Sequence, residues 1–320
     1  MSGTDKIKAD EARKEEKSTP RCWIANVSLA ATILYATCGA WAVERTEILL
    51  RDNWYIRQLE TDKPAVAALT KEAASPDNTW LPARMPAQVH DVLLQHGKIP
   101  DPHVSRNAAE SSWVGEKDWA YACTFSSPAK KEGPVFLRFK GLDTLATVYL
   151  NGALIGRFNN MYRQYNVDVQ DKLLPSGQNN VLLIIFSSPL RFVDQVKRPP
   201  HHKGVSKHKC LRKSHSDFGS YLGARPHSVK VGVYRDVLLD MPGRSWIEDV
   251  WVRSELSPDF KRAVVRFSVE VSGGESSLVW SLSDPQGKEN ARGTEQPSGD
   301  GFDVQVNVGD PRLWWPWTHG

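Results

Sequence analysis

From residue 46 onward, the dominant spacing between apolar positions is two. In AVVRFSVEVSG, Val265, Phe267, Val269 and Val271 alternate with Arg266, Ser268 and Glu270. In GFDVQVNVGD, Phe302, Val304, Val306 and Val308 fall on one face. Side chains of an extended backbone point to opposite faces in turn, so this spacing predicts half-buried strands. PVFLRFKG reads as another strand, and NNVLLIIFSSP as one buried on both faces. In ATVYLNGALIG two apolar runs meet at Asn151-Gly152, a pair suited to a turn whose two central residues both need positive φ, which predicts a hairpin. A helical spacing occurs at AQVHDVLLQHG, where Val89, Val92, Leu93 and His96 share a face and Gly97 marks the stop.

Many short strands with little helix predict an all-β chain of the sandwich or jelly-roll kind. The first sandwich is expected over residues 46–242. Near MPGRSWIEDVWVRSEL the pattern restarts, and a second segment, 243–320, holds about four strands, short for a closed seven-stranded sandwich. No repeat at solenoid spacing is visible.

One segment breaks the alternation. CWIANVSLAATILYATCGAWAV, residues 22–43, carries no charge and is as long as the roughly 20 residues that cross a bilayer as a helix. A charge-dense tail, 1–21, precedes it and reads as solvated and disordered. Arg21 abuts the run and Lys17 is near, which predicts a cytoplasmic N-terminus and a lumenal remainder. Ala40-Trp41-Ala42 has the small residues of a cleavage site. The run is therefore expected to be a membrane-targeting helix, as signal anchor or signal peptide, with a buried core helix as the plainer alternative.

The chain has 320 residues, a net charge of +4 and 12 tryptophans. So small a charge makes no case for nucleic acid, although Lys and Arg crowd residues 197–213. That same stretch and its continuation hold His201, His202, His208, Cys210 and His215, which are metal-ligand types at no regular zinc spacing. A solvated basic loop is the simpler expectation, and no metal or other cofactor is assigned. Trp80, Trp113, Trp119, Trp314 and Trp315 could each stack on a sugar, but core packing is the commoner use of tryptophan in a sandwich. No Ser-His-Asp order, phosphate loop or dinucleotide fingerprint appears, and no two acidic residues are singled out as a glycosidase pair. Cys123 and Cys210 allow one disulfide without demanding it. DFGSYLGARPHS, residues 217–228, reads as a display loop, with two glycines flanking Ser220, Tyr221 and Leu222.

Several ordered stretches resemble the β-mannosidases of glycoside hydrolase family 2. Residues 80–125 carry Pro86, Val89, His90, the run Ile99 to Pro102, Arg106, Asn107, Asp118, Trp119 and Tyr121 in the order of that family's opening block. GLDTLATVYLNGALIGRFNNMYRQYNVDV, LRKSHSDFG, GVYRDVLLD and PRLWWPWTHG follow in the family's order. The resemblance covers about residues 46–320.

It implies a galactose-binding-like jelly roll over 46–242 and part of an immunoglobulin-like domain over 243–320. It also implies a catalytic (β/α)₈ barrel as natural neighbour, bearing the nucleophile and acid/base glutamates. The expectation is that these 320 residues end before that barrel and include no catalytic residue. They would be the non-catalytic N-terminal portion of an enzyme that hydrolyses terminal β-mannosides in the secretory pathway or a lysosome-like lumen. The competing expectations are a membrane-held carbohydrate-binding module and an interaction protein with no glycan contact. In the family, Phe-Gly is followed by Trp-Asp-Trp-Gly-Pro, a loop whose aspartate is thought to bind sugar hydroxyls. Here Ser220, Tyr221 and Leu222 stand at those positions, and a tyrosine hydroxyl cannot make the charge-assisted bonds of a carboxylate.

Overall fold

The structure, a computed structural model, describes residues 45–60, 64–129, 133–197, 210–214, 217, 228–273, 277–296 and 301–314, together with the backbone of 34–37. The chain divides into two compact units, Val43–Arg244 and Ser245–Gly320, the second taking in the N-terminal residues up to Ala42.

The strands run in chain order from β1 (Leu34–Thr37) through β2 (Thr46–Leu49), β3 (Trp54–Leu59), β4 (Leu81–Ala83), β5 (Ala87–Gln88), β6 (Asp118–Ser126), β7 (Phe136–Phe139) and β8 (Leu142–Asp143). There follow β9 (Ala146–Leu150), β10 (Ala153–Phe158), β11 (Tyr165–Asp168), β12 (Asn179–Phe186), β13 (Gly232–Val233) and β14 (Val237–Met241). The later unit adds β15 (Ser245–Leu256), β16 (Arg262–Gly273), β17 (Ser277–Ser283), β18 (Glu289–Glu295) and β19 (Gly301–Gly309). Helices are α1 (Val66–Ala74), α2 (Val89–Gln95), α3 (Asn107–Glu110) and α4 (Pro189–Gln195).

In the larger unit a six-stranded sheet, β10-β9-β12-β6-β3-β4, faces a four-stranded one, β11-β7-β14-β2. The core between them joins Trp54, Ile56, Tyr121, Leu150, Leu182, Ile184 and Phe186 of the first to Leu137, Phe139, Val237 and Leu239 of the second. A smaller cluster on the outer face of the six-stranded sheet packs Leu69 and Ala73 of α1 on Ala120, Ala122, Leu183 and Ile185. Covered on both sides, β12 is buried from Asn180 to Phe186, as its unbroken apolar run predicts. The Asn151-Gly152 turn has φ of 53° and 82°, as the hairpin requires. The predicted helix is shorter than its apolar pattern: Ala87 and Gln88 form β5, α2 follows, and Gly97 ends the segment at φ 63°. A Gln88–Asp91 capping box fixes that start. Helix α1 is absent from the sequence-based expectation.

The other unit pairs β15-β16-β19 in one sheet and β1-β17-β18 in another. Its core joins Val265, Phe267, Val269, Phe302, Val304 and Val306 to Leu278, Trp280 and Leu282. These are the faces that the period-two pattern assigns.

The N-terminal run needs a correction. Leu34–Thr37 lies within the expected membrane-targeting helix, yet it is an extended strand, paired antiparallel with β17 from Leu34↔Trp280 to Thr37↔Ser277. The edge of β17 offers unpaired N–H and C=O groups, and an uncharged segment satisfies them as a strand. The rest of 22–43 lies outside the described residues, and no described helix is long and apolar enough to cross a membrane.

Candidate functional site

Ser220, Tyr221 and Leu222 lie outside the described residues, as do His201, His202, His208, His215 and Trp315. Cys210 is exposed and Cys123 buried, both as free thiols. What the structure does describe is the two roots of the display loop: 210–214 with Asp217 on one side, and 228–233 on the other.

The first root docks along the turn after β10. Arg212 pairs with Asn160 in a parallel bridge, and the Met161 amide donates to the Arg212 carbonyl at 3.0 Å. This places Leu211 and Lys213 inward, both buried. Lys213 is surrounded by oxygen. Its Nζ donates to both Asp143 oxygens at 2.6 Å and to the Lys230 carbonyl at 2.7 Å. It also lies 2.7 Å from Asp217 Oδ2. The Asp143 carboxylate and the Lys230 carbonyl take the ammonium's hydrogen bonds, while Asp217 Oδ2 is held beside it as an ion pair, buried and, among the described residues, without a hydrogen bond of its own. Asp143 is held further by Gln88 Nε2 at 3.1 Å and by the Thr144 hydroxyl. The Asp143–Thr144 peptide is cis.

The second root is set by a three-stranded sheet, β5-β13-β8. Gly232 pairs with Gln88 on one side and Asp143 on the other. Its φ is 135°, and a Cβ there would meet the Tyr121 hydroxyl and lie 3.0 Å from Gln88 Cα, so only glycine fits. Val229 packs so tightly on Gly115 that a Cβ on that glycine would come within 2.7 Å of Val229 Cβ. Ser228 Oγ shares a 3.2 Å hydrogen bond with His90 Nε2, the donor depending on the tautomer.

Burial sets the electrostatics. It raises the Asp143 carboxyl above the usual range, against the pull of the Lys213 charge and its hydrogen bond. It lowers His90, whose carboxylate neighbour Asp91 only partly opposes the shift. It raises the Tyr121 phenol well above its ordinary value, and that hydroxyl donates to the Ala87 carbonyl at 3.2 Å.

Two carboxylates that share one ammonium lie close enough to suggest the pair of a retaining glycosidase, whose carboxyls sit about 5–5.5 Å apart. Asp143 and Asp217 cannot play those parts. They are 1% and 4% exposed, and the Lys213 ammonium sits against both. The cluster ties segments together. Sequence reasoning placed Lys213 in a solvated basic stretch. The signal that could have corrected it is the alternation of Leu211 and Lys213, the inward residues of the docked segment.

The tryptophans divide. Trp80 and Trp119 are core residues at 2% exposure, and Trp113 packs partly buried against Trp119 with ring centroids 6.1 Å apart. Trp314 is exposed, and so is Trp251, which the sequence did not single out.

Comparison with known proteins places this architecture. Residues 54–235 match the family model described as glycosyl hydrolase 2 galactose-binding domain-like. A β-mannosidase B of Aspergillus terreus is 34% identical over 250 residues, which are 75% of this chain and 29% of that protein. A β-mannosidase B of Thermothelomyces thermophilus is 30% identical over 86% of this chain and 31% of its own length. Among solved structures, the β-D-mannosidase of Dictyoglomus thermophilum superposes with a TM-score of 0.70 at 25% identity, over 85% of this chain and 32% of that one. An exo-chitosanase of Amycolatopsis orientalis shares the fold at 18% identity and a TM-score of 0.58, over 85% of this chain and 30% of that one. The chain thus spans about 30% of the length of the curated relatives it matches. Its jelly-roll sandwich, its ordered motifs and the match over 54–235 agree: the chain belongs to the glycosyl hydrolase 2 galactose-binding domain-like family and resembles the N-terminal region of β-mannosidases.

Proposed function

We propose that these residues serve the hydrolysis of terminal β-mannosides as the non-catalytic N-terminal portion of a β-mannosidase-like glycoside hydrolase. The observation that carries this is the 34% identity to a β-mannosidase over three quarters of the chain. The jelly roll would stand beside a catalytic barrel, and the loop between Asp217 and Ser228 would face that barrel's mouth. The 320 residues alone would not turn over substrate, a reading supported by their spanning only 29% of the length of the β-mannosidase they match. The setting would be the secretory pathway or a lysosome-like lumen.

The test has two arms. The purified chain is assayed with a chromogenic β-mannoside, and turnover above a boiled control would refute the non-catalytic assignment. A chimera then joins residues 46–320 to the remaining part of the Aspergillus terreus relative. Folded chimera with β-mannosidase activity is expected, and folded but inactive chimera would count against the family role.

A second reading rests on Trp251. It is 58% exposed on β15, with the Arg253 guanidinium 4.0 Å from its ring centroid. A carbohydrate-binding or interaction module could use such a side chain. Micromolar glycan binding lost in Trp251→Ala would favour that alternative, and a blank glycan array would dismiss it.

A further inference from the structure

We infer that Lys213 is a positioning residue: its ammonium fixes where the segment between Asp217 and Ser228 leaves and rejoins the sandwich. That this segment faces a sugar rests on the function proposed above; the tie itself does not.

The acceptors around Lys213 come from three places in the chain. Asp143 ends β8, the Lys230 carbonyl lies two residues before β13, and Asp217 is the last described residue before the loop. One nitrogen therefore ties the first root and Asp217 to the end of β8 and to the residues that lead into β13. Independent contacts seat each root. Met161 and Asn160 hold Arg212, while His90 holds Ser228 and Gly115 receives Val229.

Stability alone would not select such a centre. A buried ion cluster repays its desolvation only with excellent geometry, and an apolar trio of the same volume is commonly as stable or more so. What an apolar trio lacks is direction. Hydrogen bonds from one ammonium fix the Asp143 carboxylate and the Lys230 carbonyl in angle as well as distance, and the ion pair holds Asp217 against them, so the cluster specifies a geometry.

The experiment is hydrogen exchange on the full chain, read by mass spectrometry together with thermal unfolding. Lys213→Met leaves two buried carboxylates without their cation. It is expected to lower Tm and to speed exchange in peptides spanning 210–230 at least tenfold, with β6 and β12 peptides unchanged. The variant Lys213→Met/Asp143→Asn/Asp217→Asn removes all three charges. It is expected to recover most of the Tm while exchange across 210–230 stays at least tenfold fast. Recovery of protection along with Tm would overturn the inference, because the cluster would then be charge balance and nothing more. If Lys213→Met does not fold, Asp217→Asn decides the matter, since it keeps the Lys213–Asp143 pair. Faster exchange confined to 210–230 supports positioning, and an unchanged profile overturns it. No substrate enters these measurements, so their failure leaves the glycosidase role standing, and an inactive chimera leaves the tie standing.

Discussion

Gly232 is the residue most constrained by its surroundings, and Gly232→Ala is the sharpest test of how the loop roots are built. Its φ of 135° is one that an L side chain rarely adopts, at a cost of about 1–3 kcal/mol. A methyl group there would also press on the Tyr121 hydroxyl, with Tyr121 Cζ at 2.9 Å and Gln88 Cα at 3.0 Å. Overpacking of this kind adds about 1–3 kcal/mol. The expected loss is therefore about 2–6 kcal/mol. For a unit of roughly 200 residues each kcal/mol is worth about 2–4 °C, so Tm should fall by at least about 4 °C. Thermal unfolding followed by tryptophan fluorescence reads this directly, because Trp54 and Trp119 lie in the affected core. A second variant separates the two costs. Tyr121→Phe alone should lose about 1 kcal/mol with the hydrogen bond to Ala87. In the Gly232→Ala background the same change should stabilise, because it deletes the atom nearest the new methyl. A Gly232→Ala protein within about 0.5 kcal/mol of wild type, the usual scatter of surface substitutions, would refute the packing described for β13.

Three further outcomes are expected. His90 has a lowered pKa in the fold, so on acidification the unfolded chain takes up the proton first; stability should be full above about pH 6.5 and fall as pH drops from there through the folded value. Subtracting a His90→Asn pH–Tm profile should isolate this slope, and a constant difference would contradict the burial of the imidazole. Cys123, with its thiol pushed up to about 12 by burial, should resist maleimide at about pH 8 until denaturant is added, while exposed Cys210 labels at once; peptide mapping decides, and early labelling of Cys123 would contradict the packing of β6. In the chimera, Tyr221→Asp restores a carboxylate at the family's sugar-binding position and should lower KM for a β-mannoside more than it raises kcat; an unchanged KM would show that the residue is not met by substrate.

The sandwich was legible because period-two alternation is a property of the chain itself. Phe302, Val304 and Val306 point inward for the reason their spacing gives. The Asn151-Gly152 turn was legible from two residues. Helix α1 was not, because only Leu69 and Ala73 are buried in it, too few to stand out as a stripe. The ion cluster at the loop roots was not legible. Lys213 sits in a stretch crowded with lysine and arginine, and only its spacing of two from Leu211 sets this buried ammonium apart from its cationic neighbours in sequence. Asp217 is only four residues away, but the partners Asp143 and Lys230 reach Lys213 through tertiary structure. The N-terminal run misled for a related reason: an uncharged segment suits a bilayer and an open sheet edge alike, and composition does not distinguish the two.

The pairing of Leu34–Thr37 with β17 makes those residues a shared resource. A backbone amide that donates along β17 cannot also donate within a membrane-crossing helix, so the two uses exclude each other. Keeping residues 34–37 in the sheet draws this segment out of any bilayer. Cutting the chain after Ala42 would take the partner strand away and leave β17 as an open edge, a template for the next extended segment to arrive. Processing at the N-terminus and loss of protection of β17 against strand-to-strand association would then be one and the same event.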